Sequence, residues 1–134
     1  MSLQIFVNLA VKDLGKSMAF FAALGYAHNP TYTGNDSACI VLSEQIYVML
    51  LSEGFFRTFT DKAICDTRTH VESWNVLSMD SRARVDDLVA KAVAAGGREP
   101  RAAKDYGFMY SRAIEDLDGH TWVLMHMSGE PPKA

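Results

Sequence analysis

An α+β domain of two β-α-β-β-β units, forming curved mixed sheets around a cavity, is the fold class the sequence predicts. Two observations carry it. Strand-like apolar runs alternate with amphipathic helical runs, each helical run being preceded by one strand and followed by three. The second half of the chain then repeats the order of the first. Sliding the sequence by 68 residues lays Phe6 on Trp74, Val11 on Met79 and Phe20 on Leu88. Identity between the halves is low, so the repeat rests on element order, and a generic α+β sandwich shares that order. One such unit cannot cover both faces of its own sheet, which is why two would pack or pair.

Residues 4–11 (QIFVNLAV) are apolar and β-branched enough for a strand. Asp13 stands at an N-cap position before Leu14, Met18, Phe21 and Leu24, which fall at helical spacing with Phe20 beside them; Gly25 ends the run. Strands are expected near 26–32, 37–42 and 46–51, separated by the turns Thr33-Gly34-Asn35-Asp36 and Ser43-Glu44-Gln45. Phe55, Phe56 and Phe59, followed by Ala63 and Ile64, predict a short amphipathic helix in the connecting segment 53–70.

The order then starts again. Residues 73–79 (SWNVLSM) read as a strand, and Asp80 or Ser81 caps a helix whose apolar stripe is Val85, Leu88, Val89, Ala92 and Val93. Gly96-Gly97 stops that helix. Strands are expected near 98–103, 107–114 and 120–127, with the turn Asp116-Leu117-Asp118-Gly119 before the last. The expected layout is one domain over 1–127, with a first unit at about 3–52, a linker at 53–70 and a second unit at about 71–127. The tail 128–134, with Pro131-Pro132, is expected to fray.

Composition narrows the function classes. A formal net charge of −3 over 134 residues gives no electrostatic footprint for nucleic acid or an anionic membrane. No apolar run reaches the roughly 18–20 residues of a membrane span. Met1-Ser2-Leu3-Gln4 opens no basic-then-apolar leader, so the cytosol is the expected location. Cys39 and Cys65 fit neither a CxxC motif nor a zinc knuckle, and both are expected to be free thiols. A GxSxG elbow, a phosphate loop and HExxH are all missing, and Asp86-Asp87 and Glu115-Asp116 read as surface and turn chemistry.

Three segments are similar to vicinal oxygen chelate proteins, the superfamily of glyoxalases, bleomycin-resistance proteins and extradiol dioxygenases. Val11-Lys12-Asp13-Leu14 followed by Ser17-Met18-Ala19-Phe20-Phe21 and Leu24-Gly25-Tyr26 resembles the family's opening strand and helix. Glu115-Asp116-Leu117-Asp118-Gly119-His120 resembles its turn before the last strand, and Ala94-Ala95-Gly96-Gly97 its second helix end. The resemblance covers roughly residues 4–127.

In metal-using members, His or Glu on the first and last strands of each unit hold a divalent ion that polarises vicinal substrate oxygens. The resemblance places those positions at Phe6, about Leu50, Trp74 and Val123, none of which offers a lone pair to a cation. A slip of one gives Val7, Met49 or Leu51, Asn75 and Leu124, which is no better. Neither a metal nor another cofactor is therefore expected. His28, His70, His120 and His126 show no ligand spacing and read as solvated or locally hydrogen-bonded.

With the fold that the resemblance implies, strand parity turns Phe6 and Asn8 inward, with Trp74, Val76 and Ser78 in the second unit and Thr121, Val123 and Met125 on the last strand. The candidate ligand-binding set is Phe6, Asn8, Trp74, Ser78 and Val123, with Tyr110 and Arg112 as an anion-binding or hydrogen-bonding edge of unfixed parity. An apolar lining of this kind is also what a filled core or a dimer interface presents. Two functions remain. One is a metal-free, homodimeric binding protein for a planar or partly aromatic small molecule. The alternative is a glyoxalase-type lyase or dioxygenase-like enzyme with a non-standard site.

Overall fold

The computed structural model describes residues 3–132; positions 1, 2, 133 and 134, the outermost residues of the start and of the tail, lie outside it. The chain forms two compact units that divide between Asp66 and Thr67, inside the segment expected as a linker.

In the first unit, strand β1 (Ile5–Val11) leads into helix α1 (Leu14–Ala23), and strands β2 (Ser37–Val41) and β3 (Ile46–Ser52) follow. Asp13 caps α1 by accepting the Lys16 amide at 3.0 Å, and Gly25 leaves the helix at a φ of 98°. The sheet order is β1-β3-β2, with β1 parallel and β2 antiparallel to β3. It is a mixed sheet because the helix carries the chain across between β1 and the later strands.

Leu9 and Leu50 are direct partners, and both are buried on the side where Phe20, Phe21 and Leu24 of the helical segment complete a core. Helix α1 packs on β2 and β3. Truncating a fully buried residue of this layer, such as Leu50, would cost about 2–5 kcal/mol.

The strand expected over 26–32 does not form. A single bridge joins His28 to Ile40, and Pro30 starts a 3-10 turn capped by Asn29, whose side chain accepts the Thr31 amide at 3.0 Å. Proline has no amide hydrogen to give a ladder, which ends the strand at the bridge. The expected linker helix is also shorter than predicted. Helix α2 (Glu53–Phe56) makes one turn, and Phe59 beyond it packs edge-on against Phe55 with ring centroids 5.1 Å apart.

The second unit contains strand β4 (Trp74–Ser78), helix α3 (Arg82–Ala94), and strands β5 (Lys104–Asp105), β6 (Met109–Glu115) and β7 (Thr121–Met127). Their order is β4-β7-β6-β5, with β4 parallel to β7 and the other pairs antiparallel. Ser81, rather than Asp80, caps α3 by accepting the Arg84 amide at 3.1 Å. Val85, Leu88, Val89 and Ala92 are buried as expected, while Val93 lies half exposed at the rim of the stripe.

The strand expected over 98–103 shrinks to one bridge between Arg98 and Glu115, and pairing resumes only at Lys104. Pro100 sits in the gap, the same cause as at Pro30. Ser128, the first residue of the tail expected to fray, is held in place by the second sheet's hairpin. The Ser128 amide donates to Phe108 O at 2.8 Å and its hydroxyl to Gly107 O at 3.1 Å.

Candidate functional site

In the second sheet, register decides which side chains share a face. Trp74 lies opposite Thr121, Val76 opposite Val123, and Ser78 opposite Met125. Across the next pair, Ser111 meets Met125 and Ala113 meets Val123, and Lys104 meets Ser111 in turn. Side chains alternate along each strand, so these residues stand on one face, and α3 packs on the same sheet through β6 and β7 from the other. The face away from the helix is apolar and open: Trp74 is 51% exposed and Val76 47% exposed. For comparison, Trp122 on the helix side is 3% exposed.

Two recesses indent this region. One, of about 350 Å³, is lined by Thr67, His70, Val71, Trp74, Arg101 and Thr121 among others. The other, of about 190 Å³, is lined by Trp74, Val76, Arg101, Lys104, Val123 and Met125 together with Tyr106, Met109 and Ser111. Trp74 and Arg101 belong to both, with the Arg101 guanidinium carbon 5.2 Å from the indole centroid.

The turn that enters β7 fixes the edge of this face. Asp116 is buried and accepts the amides of Asp118 and His120 at 3.1 and 3.0 Å on one oxygen, and the Trp122 indole N–H at 3.1 Å on the other. Burial pushes the Asp116 carboxyl above the usual carboxylate range. His120 is buried beside it, with Nδ1 2.6 Å from Glu72 Oε1. His126 sits on the helix side, its Nδ1 2.9 Å from Met79 O. His28 and His70 are exposed.

Phe6 and Asn8 take the matching face of the first sheet. Phe6 pairs with Tyr47 and stacks on it, and Asn8 pairs with Met49. With Tyr32 and Cys39 these residues line a recess of about 600 Å³. The Asn8 amide turns back to donate to Phe6 O at 2.9 Å, and burial raises the Cys39 thiol above its ordinary value.

Tyr110 and Arg112 require a correction as site residues. They alternate with Ser111 and Ala113 and so stand on the helix side of the second sheet, away from Trp74 and Val123. There the Tyr110 hydroxyl donates to Asp86 at 2.6 Å, and Arg112 donates to Glu99 and Asp86. Leu50, which the resemblance set at about a metal-ligand position, points to the core, and Met49, the alternative one residue away, stands on the Phe6 face. The sequence reading missed Arg101, Lys104 and Tyr106. Arg101 lies beside Pro100 outside any paired strand, and Lys104 and Tyr106 lie between the strands expected at 98–103 and 107–114.

The architecture matches solved structures over nearly its whole length. Hypothetical protein SA1046 from S. aureus superposes with a TM-score of 0.80 at 27% identity, covering 94% of each chain. A glyoxalase-related enzyme from Fulvimarina pelagi gives 0.79 at 19% identity, over 100% of this chain and 94% of that one. A glyoxalase/bleomycin resistance protein/dioxygenase family enzyme from Burkholderia phytofirmans PsJN gives 0.77 at 14%, over 94% and 99%. The chain has the glyoxalase/bleomycin-resistance fold. No family model and no curated protein matches its sequence.

The metal that this fold carries in its vicinal oxygen chelate enzymes does not fit the residues present. In the first unit the corresponding face offers Phe6 and Met49, and in the second Trp74 and Val123. A thioether is a weak, soft donor and the other three have no donor at all. Among the described residues, no group of three or more His, Cys, Asp or Glu side chains is placed to hold an ion. No described helix is long and apolar enough to cross a membrane.

Proposed function

We propose that this glyoxalase/bleomycin-resistance-fold chain is a metal-free binding protein that holds a small planar organic molecule on the open face of its second sheet, and that it works as a homodimer. The observation that carries this reading is the half-exposed Trp74, set beside Val76 over the buried Val123 on the face opposite α3. An indole left in water at the mouth of two recesses supplies a large stacking surface for a ligand ring. Two free cysteines, one buried and one partly so, suit a reducing compartment such as the cytosol.

Substitution of Trp74 tests the reading. Trp74→Ala removes half-exposed area, so it should cost about 1 kcal/mol of folding stability or less. It should weaken a planar aromatic ligand by about 1–3 kcal/mol. A panel of such compounds followed by thermal shift and by intrinsic fluorescence measures both quantities. An unchanged affinity in the variant would remove the reading.

A further inference from the structure

We infer that the smaller recess of the second unit is built for a carboxylate-bearing ligand, an aromatic monocarboxylate of about one ring, with Arg101 and Lys104 holding the carboxylate. The inference rests on the proposed function above, in that it names the chemical class taken by the same face.

Charge and packing carry it. The floor of this recess is apolar, made by Val76, Val123, Met109 and Met125. At its edge stand two cations, Arg101 and Lys104, and no Asp or Glu lines it. Among the described residues, neither cation has a carboxylate within ion-pair distance, although five of the other arginines, Arg57, Arg82, Arg84, Arg98 and Arg112, each do.

Arg101 is also the more costly of the two to leave without an acceptor. Its Nε is buried and has no hydrogen-bond partner among the described residues, while its guanidinium lies over Trp74. A desolvated N–H on a charged group is unfavourable until an acceptor reaches it. The planar guanidinium donor edge matches a carboxylate, and its packing on the indole fixes its orientation.

Glu115 lines the neighbouring, larger recess, where Arg98 already engages it at 3.3 Å. Asp105, next to Lys104 in sequence, faces the other side of the sheet, where it pairs with Arg82 at 2.7 Å. The two cations are therefore left for an incoming anion. At about 190 Å³ the recess is below the usual range for drug-sized ligands, which limits the apolar body to a single ring.

The test compares benzoate with its neutral isostere benzamide and with inorganic phosphate, by titration calorimetry on the full chain at low and high chloride. Benzoate is expected to bind at least tenfold tighter than benzamide, and phosphate alone to bind far more weakly than benzoate. Arg101→Met keeps an unbranched apolar stem beside Trp74 and removes the guanidinium. It should lose tenfold or more in benzoate affinity, with the melting temperature unchanged within a few degrees, and Lys104→Met should lose several-fold. Equal binding of benzoate and benzamide would overturn the carboxylate assignment, and if Trp74→Ala abolished both, the broader reading of the face would stand. Binding of phosphate as tight as benzoate, or of neither aromatic compound at millimolar concentration, would also overturn it.

Discussion

Arg112 grips Glu99 with two parallel hydrogen bonds, Nε to Oε2 and Nη2 to Oε1, each 2.8 Å long. The third donor of the guanidinium, Nη1, reaches Asp86 at 2.9 Å, so β6 is tied both to α3 and to the segment that follows the helix. About three quarters of the Arg112 and Glu99 side chains is shielded from solvent, which separates this pair from the exposed ion pairs of the surface.

Arg112→Gln should therefore destabilise the fold by about 1–2 kcal/mol at neutral pH. The hydrogen bonds from Arg112 hold the Glu99 carboxyl below its ordinary value of 4.5. Asp86 is held below 3.8, first by the hydrogen bond from Tyr110 and then by that from Arg112. A depressed acid contributes stability above its unfolded value and loses it as pH falls through the folded one. The gap between wild type and variant should be full above about pH 5 and close progressively below about 4.5. Urea titrations at several pH values measure it, and a gap that stayed constant down to pH 3 would count against the assignment.

Gly119 has a φ of 85°, and a Cβ built there would stand 2.5 Å from the backbone oxygen of Thr67. Neither the backbone angle nor the neighbour can give way cheaply, because the contact is with main chain. Gly119→Ala is expected to cost about 2 kcal/mol or more, with the melting temperature falling several degrees. Gly34→Ala, where nothing lies within 4 Å and φ is not in the left-handed region, should stay near wild type and serves as the control.

Apolar surface argues for pairing of two chains. Phe59 is 64% exposed in the connecting segment, and Phe6 is 48% exposed on the first sheet. Isologous dimers bury such surface at no cost in new sequence. Light scattering at micromolar concentration should report twice the chain mass of 14.8 kDa. A mass of one chain across that range would refute the dimer.

Metal analysis checks the donor argument. The protein as purified should carry far less than one equivalent of zinc, nickel, manganese or iron, and chelation should leave its melting temperature unchanged. A stoichiometric ion lost on chelation would contradict it.

The sequence by itself determined the caps, the type of fold and the order of the elements, except for the two strands that Pro30 and Pro100 reduce to single bridges. Asp13, Ser81 and Gly25 act locally, through hydrogen bonds and backbone angles within a few residues, and such signals need no tertiary context. Strand parity was equally legible where apolar alternation was unbroken, and it put Trp74, Val76 and Val123 on one face. Tertiary structure decided the rest. Tyr110 and Arg112 went to the helix side because Asp86 and Glu99 offered partners there, a pairing across 24, 26 and 13 residues that no local pattern encodes. Arg101 came to the recess through a segment that Pro100 frees from regular pairing, and Lys104 through the short strand that resumes after it. Their place depends on how that segment packs over Trp74, and side-chain packing of that kind is set only when the whole unit folds.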